Sequence, residues 1–176
     1  MTHTVMARSQ NGLGDDERRQ LANLPIGQAI RRRAAMTPDD VFMREQQLGV
    51  YVERTWAEYV ADIDKLACGL LRLGLRPGQS VAIMGDPTYL WMLADAAVIS
   101  IGAISFGIYT TCSTDEVAHQ VSTADAAIFI AENQEYVDKL LSVDDRCGSV
   151  RQILVDDTQA LFDYEDPRIL HLERLL

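Results

Sequence analysis

SVAIMGDPTYLWMLADAAVISIGAISFGIYTTCSTDEVAHQVSTADAAIFIA, residues 80–131, is the stretch on which the fold turns. Three short apolar runs stand in it, at Ser80–Met84, 103–108 and Ala126–Ala131. Each is too short for an ordinary helix and rich in Val, Ile or Phe, which suits a strand. Two helical patterns separate them. Asp86 and Pro87 are expected to open the first, as N-cap and first-turn proline. Ser113-Thr114-Asp115-Glu116 is a capping box that opens the second, with Val117, Ala118 and Val121 turned inward. Strands that read as continuous apolar runs, separated by helices, belong to a parallel sheet covered on both faces.

The pattern continues on either side. Toward the C-terminus, Asn133 caps a helix carrying Tyr136, Val137, Leu140 and Leu141, and Gln152–Val155 is a further strand. Toward the N-terminus, Thr55-Trp56-Ala57-Glu58 is another capping box. The helix behind it places Tyr59, Ile63, Leu66 and Leu70 on one side, and Gly74 ends it before the Arg76-Pro77-Gly78 turn. Residues 41–46 and 50–55 read as strands of a hairpin across Gln47-Leu48-Gly49. Residues 26–36 read as a short helix stopped by Thr37-Pro38. The first 24 residues read as a flexible arm. The expected class is α/β: a parallel sheet with helices on both faces, preceded by a β-hairpin.

Composition excludes several functions. The 176 residues carry 16 basic and 26 acidic side chains, a formal net charge of −10, which argues against a nucleic-acid surface. Arg31-Arg32-Arg33 reads as the solvated end of a helix, where cations suit the dipole. Cys68, Cys112 and Cys147 are far apart and odd in number, so neither a zinc site nor a disulfide framework is signalled. A reducing, cytoplasmic setting follows. Residues 89–109 are nearly all apolar or small, but Asp95 and the breaks at Gly102 and Gly107 favour a buried helix and strand over a membrane span. That helix is apolar almost all round, which implies surplus apolar surface and self-association through it.

No constellation for chemistry stands out. None of the 11 glycines is followed by lysine, so the sequence holds no Gly-Lys phosphate loop. Met84-Gly85-Asp86-Pro87-Thr88 occupies a strand-to-helix turn, where open sheets bind ligands, but Pro87 lacks an amide and Asp86 repels anions; it reads as a capped turn rather than a nucleotide site. Tyr109-Thr110-Thr111-Cys112-Ser113 reads as turn chemistry, with the edge of a site as the alternative. Asp115 and His119, four apart, read as a surface pair rather than half a metal site. Asp15-Asp16, Asp144-Asp145 and Asp156-Asp157 read as turns. No catalytic, cofactor-binding or metal-ligating residue is assigned.

Taken together, several stretches resemble the AMP-forming acyl-CoA synthetases, of the long-chain fatty-acid–CoA ligase type. They are Thr55-Trp56-Ala57-Glu58-Tyr59, the run from Gly69 through Arg76-Pro77-Gly78 to Ile83, the run from Trp91 to Gly102-Ala103, Ile108-Tyr109-Thr110-Thr111, and Glu116-Val117-Ala118-His119. The resemblance implies that residues 25–176 are an incomplete, N-terminal part of an AMP-binding domain. It implies fatty acid, ATP, Mg2+ and coenzyme A as the ligands of a full-length member, with no cofactor held by this chain. The family's phosphate loop, magnesium ligand, ribose-binding aspartate and catalytic lysine lie beyond the matched region. The two lysines here, Lys65 and Lys139, fall on scaffold helices. The expectation is therefore an N-terminal ligase segment, inactive alone, cytoplasmic or membrane-peripheral. A stand-alone α/β interaction module and a free-standing nucleotide-binding domain are the alternatives.

Overall fold

The computed structural model describes residues 14–47 and 49–176. The chain divides into two compact units at Val60/Ala61.

The first unit holds helices α1 (Asp15–Ala22) and α2 (Ile26–Met36) and an antiparallel hairpin of β1 (Val41–Gln47) and β2 (Val50–Thr55). Helix α1 occupies part of the stretch expected to be an arm. Asp15, Asp16 and Glu17 crowd its first turn, where carboxylates suit the dipole, yet it buries no residue. The hairpin register is set by pairs such as Arg44 opposite Glu53, whose side chains meet at 2.7 Å. Phe42 stacks on Tyr59 at 3.9 Å and meets Trp56 edge-on. Arg33 differs from expectation. It is not solvated: its guanidinium lies over the Trp56 ring and pairs with Asp40 at 3.3 Å, leaving the side chain 12% exposed.

Helix α3 (Trp56–Arg72) begins as the capping box foretold. The Thr55 hydroxyl accepts from the Glu58 amide, and the Glu58 carboxylate accepts from the Thr55 amide at 2.8 Å.

The second unit is built on a five-stranded, all-parallel sheet. Its strands are β3 (Ser80–Met84), β4 (Ile104–Ile108), β5 (Ala126–Ala131), β6 (Gln152–Val155) and β7 (Ile169–His171), in spatial order β4-β3-β5-β6-β7. Strand β5, central, is buried at all six residues. On one face Ala82, Met84, Phe129, Ala131, Ile153 and Val155 form a core with Val117 and Val121 of α5 (Thr114–Thr123) and Val137 and Leu140 of α6 (Gln134–Leu141). Val81, Ile83, Ile128 and Leu154, alternating with them, are equally buried on the other. Cys147 joins this core, Cys112 is half-buried and Cys68 is exposed.

Helix α4 (Tyr89–Ser100) corrects two expectations. Its N-cap is Thr88, whose hydroxyl accepts from the Trp91 amide at 3.3 Å; Asp86 and Pro87 lie outside it. The Asp86 amide is already taken by the Glu132 carboxylate at 2.7 Å, and the Thr88 amide turns back to the Asp86 carbonyl. The helix also carries little surplus apolar surface. Six of its residues are buried, Met92 is 37% exposed, and Asp95 accepts from the Ser105 hydroxyl of β4. Tyr89 donates to Asp62 of α3 at 2.9 Å. In the second unit the more exposed apolar side chains lie elsewhere, among them Leu71, Ile104 of the β4 edge, Tyr109 and Phe162.

Strand β7 has no forerunner in the sequence pattern, being three residues long. It is seated by Arg168, which grips Asp144 at 2.8 Å and Asp166 at 2.6 Å, while the Arg168 carbonyl accepts from the Ile153 amide.

Candidate functional site

In the order β4-β3-β5-β6-β7 the chain passes from β3 to one side, then crosses back to the other. Ligands of open parallel sheets bind beyond the carboxyl ends of strands at such a reversal. Here the ground between β3 and β5 is filled. The Glu132 side chain lies across Gly85, where a Cβ would come within 2.7 Å of the Glu132 Cβ, and the remaining space is only about 10 Å³. That is room for about one water molecule.

The open space lies one strand over. A cleft of about 390 Å³ sits beyond the ends of β3 and β4, walled by Asp86, Pro87, Trp91, Gly107, Tyr109 and Thr110. Its size is that of a small-ligand pocket. The two turns singled out in the sequence, 84–88 and 109–113, thus meet at one site. Trp91 and Gly107 supply its floor. The indole packs onto the β4 backbone, and a Cβ on Gly107 would lie 3.0 Å from Trp91 Cζ2. Tyr109 stands at the rim with 82% of its surface exposed.

Helix α6 braces the far side. Lys139 Nζ donates to the Thr110 carbonyl at 2.8 Å, pairs with the Glu135 carboxylate at 3.2 Å, and lies 5.4 Å from the centre of the Tyr136 ring. Burial pushes the Tyr136 phenol above its ordinary pKa, helped by the charges of Glu132, Glu135 and Asp86 and opposed by the Thr110 side chain. Trp91, Gly107 and Lys139 were legible in the sequence only as scaffold, and Glu132 not at all, because each reaches the site through a partner distant in the chain.

Chemically, the cleft offers aromatic surface and backbone groups under a negative field. It pairs no nucleophile with a base. The carboxylates of Asp86 and Glu132 would repel a triphosphate, and the described residues hold no group of three His, Cys, Asp or Glu able to grip a metal. Asp115, expected beside His119, pairs instead with Arg146.

Residues 30–170 match the family of AMP-binding enzymes. Among curated relatives, the chain is 28% identical over 117 residues to the long-chain-fatty-acid–CoA ligase FadD15 of Mycobacterium bovis, a segment covering 66% of this chain and 20% of that protein. It is 32% identical over 113 residues to a Mycobacterium tuberculosis protein described only as uncharacterised, covering 64% of this chain and 63% of the relative. Among solved structures, acetoacetyl-CoA synthetase from Streptomyces lividans superposes with a TM-score of 0.74 at 17% identity, over 86% of this chain and 25% of that one. At that identity the likeness shows the fold alone. The chain thus spans about a fifth of the length of the ligase it matches.

Proposed function

Because the chain belongs to the AMP-binding enzyme family, we propose that residues 25–176 form the N-terminal part of the AMP-binding domain of a long-chain fatty-acid–CoA ligase. The observation that supports this most is the 28% identity to FadD15 over 117 residues, beside the family match over residues 30–170. A carboxylate is a poor acylating agent. Such a ligase therefore condenses it with ATP to an acyl-adenylate, releasing pyrophosphate, and the coenzyme A thiolate then displaces AMP. Adenylation needs backbone amides and a lysine cradling the phosphates. These 176 residues contain no Gly-Lys step. In the proposal they supply scaffold and a cleft bordering the coenzyme path, are inactive by themselves, and work in the cytoplasm or at a membrane surface.

ATP–pyrophosphate exchange with palmitate and Mg2+ tests this on the purified 176-residue protein. The expected result is exchange at background; exchange above it would sink the proposal that these residues lack adenylating machinery. Reading the coding sequence past codon 176 tests the ligase assignment separately. A Ser/Thr/Gly-rich loop ending in lysine is expected there, and an unrelated sequence would count against it.

A second reading draws on the M. tuberculosis relative, which is matched over like shares of both chains and so is about as short as this one. In it the chain works alone as an interaction module built on the ligase scaffold. A monodisperse dimer by light scattering favours that reading, and a monomer at all concentrations removes its self-associating form.

A further inference from the structure

We propose that Lys139 is a positioning residue for the cleft: from α6 it holds the 109–112 turn, and with it the wall formed by Tyr109 and Thr110. The bond joins residues 29 apart, at 2.8 Å, and ends on a carbonyl in the wall itself. A charged donor on a carbonyl is among the stronger hydrogen bonds, and this one is sheltered, with Lys139 22% exposed. The lysine is itself held on two sides, by Glu135 and by the face of Tyr136, so its long stem is already ordered. The turn has other anchors too: the Thr110 side chain bonds to Tyr136, and the Ser113 amide donates to the Glu116 carboxylate. Its Cys112 amide returns to the Tyr109 carbonyl, the Cys112 sulfur accepts from Gln120 at 3.6 Å, and Tyr109 points outward.

A carbonyl facing a lysine is withdrawn from any ligand, while the neighbouring groups of the turn are fixed to meet one. Lys139 thus sets the shape of the cleft without touching what enters it. The inference rests on the reading of this cleft as a ligand site, and its test separates the two.

Hydrogen exchange read by mass spectrometry on the full chain compares the wild type with Lys139→Met and Lys139→Arg. Lys139→Met is expected to speed exchange of the 109–113 amides about tenfold, the loss of one charge-assisted bond. Strands β3 and β5 and the body of α6 should keep their protection. Lys139→Arg, which can still reach the carbonyl, should restore most of it. Unchanged exchange in the turn overturns the proposal, as does acceleration spread evenly over α6 and β5, which would mark a general loss of stability. Titration with coenzyme A is the second arm. Binding that weakens about tenfold in Lys139→Met and recovers in Lys139→Arg supports the positioning role. Equal affinity in all three overturns it. No binding in any of them, beside a local exchange effect, rejects the ligand reading and leaves the hold on the turn established.

Discussion

At the scale of single residues, two glycines decide where the sheet edge is open. Gly85 lets the Glu132 side chain lie flat on the end of β3, and Gly107 lets Trp91 do the same on β4. Gly85→Ala would push against the Glu132 Cβ and should cost about 1–3 kcal/mol in thermal or urea denaturation, as overpacking does. Gly148→Ala, with nothing within 4 Å of the new methyl, should stay within about 0.5 kcal/mol. Equal effects at the two positions would refute the argument. These roles were hidden in the sequence for a plain reason. The capping pairs Thr55–Glu58 and Ser113–Glu116 are three residues apart and could be read directly. Asp86 and Glu132 are 46 apart, and Lys139 and Thr110 are 29 apart, so only the folded chain brings them together. Arg33 misled for the same reason, since its aromatic partner Trp56 lies beyond the hairpin.

Elements were legible where a period or a cap marked them, and obscure where tertiary anchoring made them. Helix α5 is the clear case. Ser113 and Glu116 satisfy each other's amides, and that bonding, backbone first, holds the Glu116 carboxyl below its ordinary pKa. Ser113→Ala should lower stability by about 1 kcal/mol in urea denaturation. Strand β7 is the opposite case, three residues whose place depends on Arg168 between Asp144 and Asp166. The Arg168 side chain holds the Asp166 carboxyl below its usual value of 3.8, and both carboxylates raise the guanidinium above its own. A carboxyl depressed on folding stabilises fully above its unfolded pKa and loses that contribution as pH falls through its folded one. Asp166→Asn should therefore cost about 1–2 kcal/mol at pH 7, with the gap from wild type closing below roughly pH 3.8. Urea midpoints taken from pH 7 to pH 3 will check this, and a gap that widens on acidification would contradict it.

Over the whole molecule, a buried parallel sheet was plain from the apolar runs, whereas the location of its exposed apolar surface was not. Helix α4 looked like the unsatisfied element, but six of its twelve residues are buried, and strand β4 at the sheet margin is left more open. Ile104 there is 55% exposed, and the register with β3, fixed by Ile104 donating to the Gln79 carbonyl, turns the Ser105 and Gly107 backbone outward. Such margins recruit other strands unless charge guards them. Any concentration-dependent association of the purified chain should accordingly fall with Ile104→Lys, and sedimentation velocity will show whether it does. The three thiols carry a different consequence. Cys68 lies open, Cys112 is partly sheltered, and Cys147 is sealed in the core with its ionisation suppressed, chiefly by burial. An alkylating reagent should consume them in that order, and the last will react only as fast as the core breathes. The protein carries a built-in clock for its own opening, needing no added label.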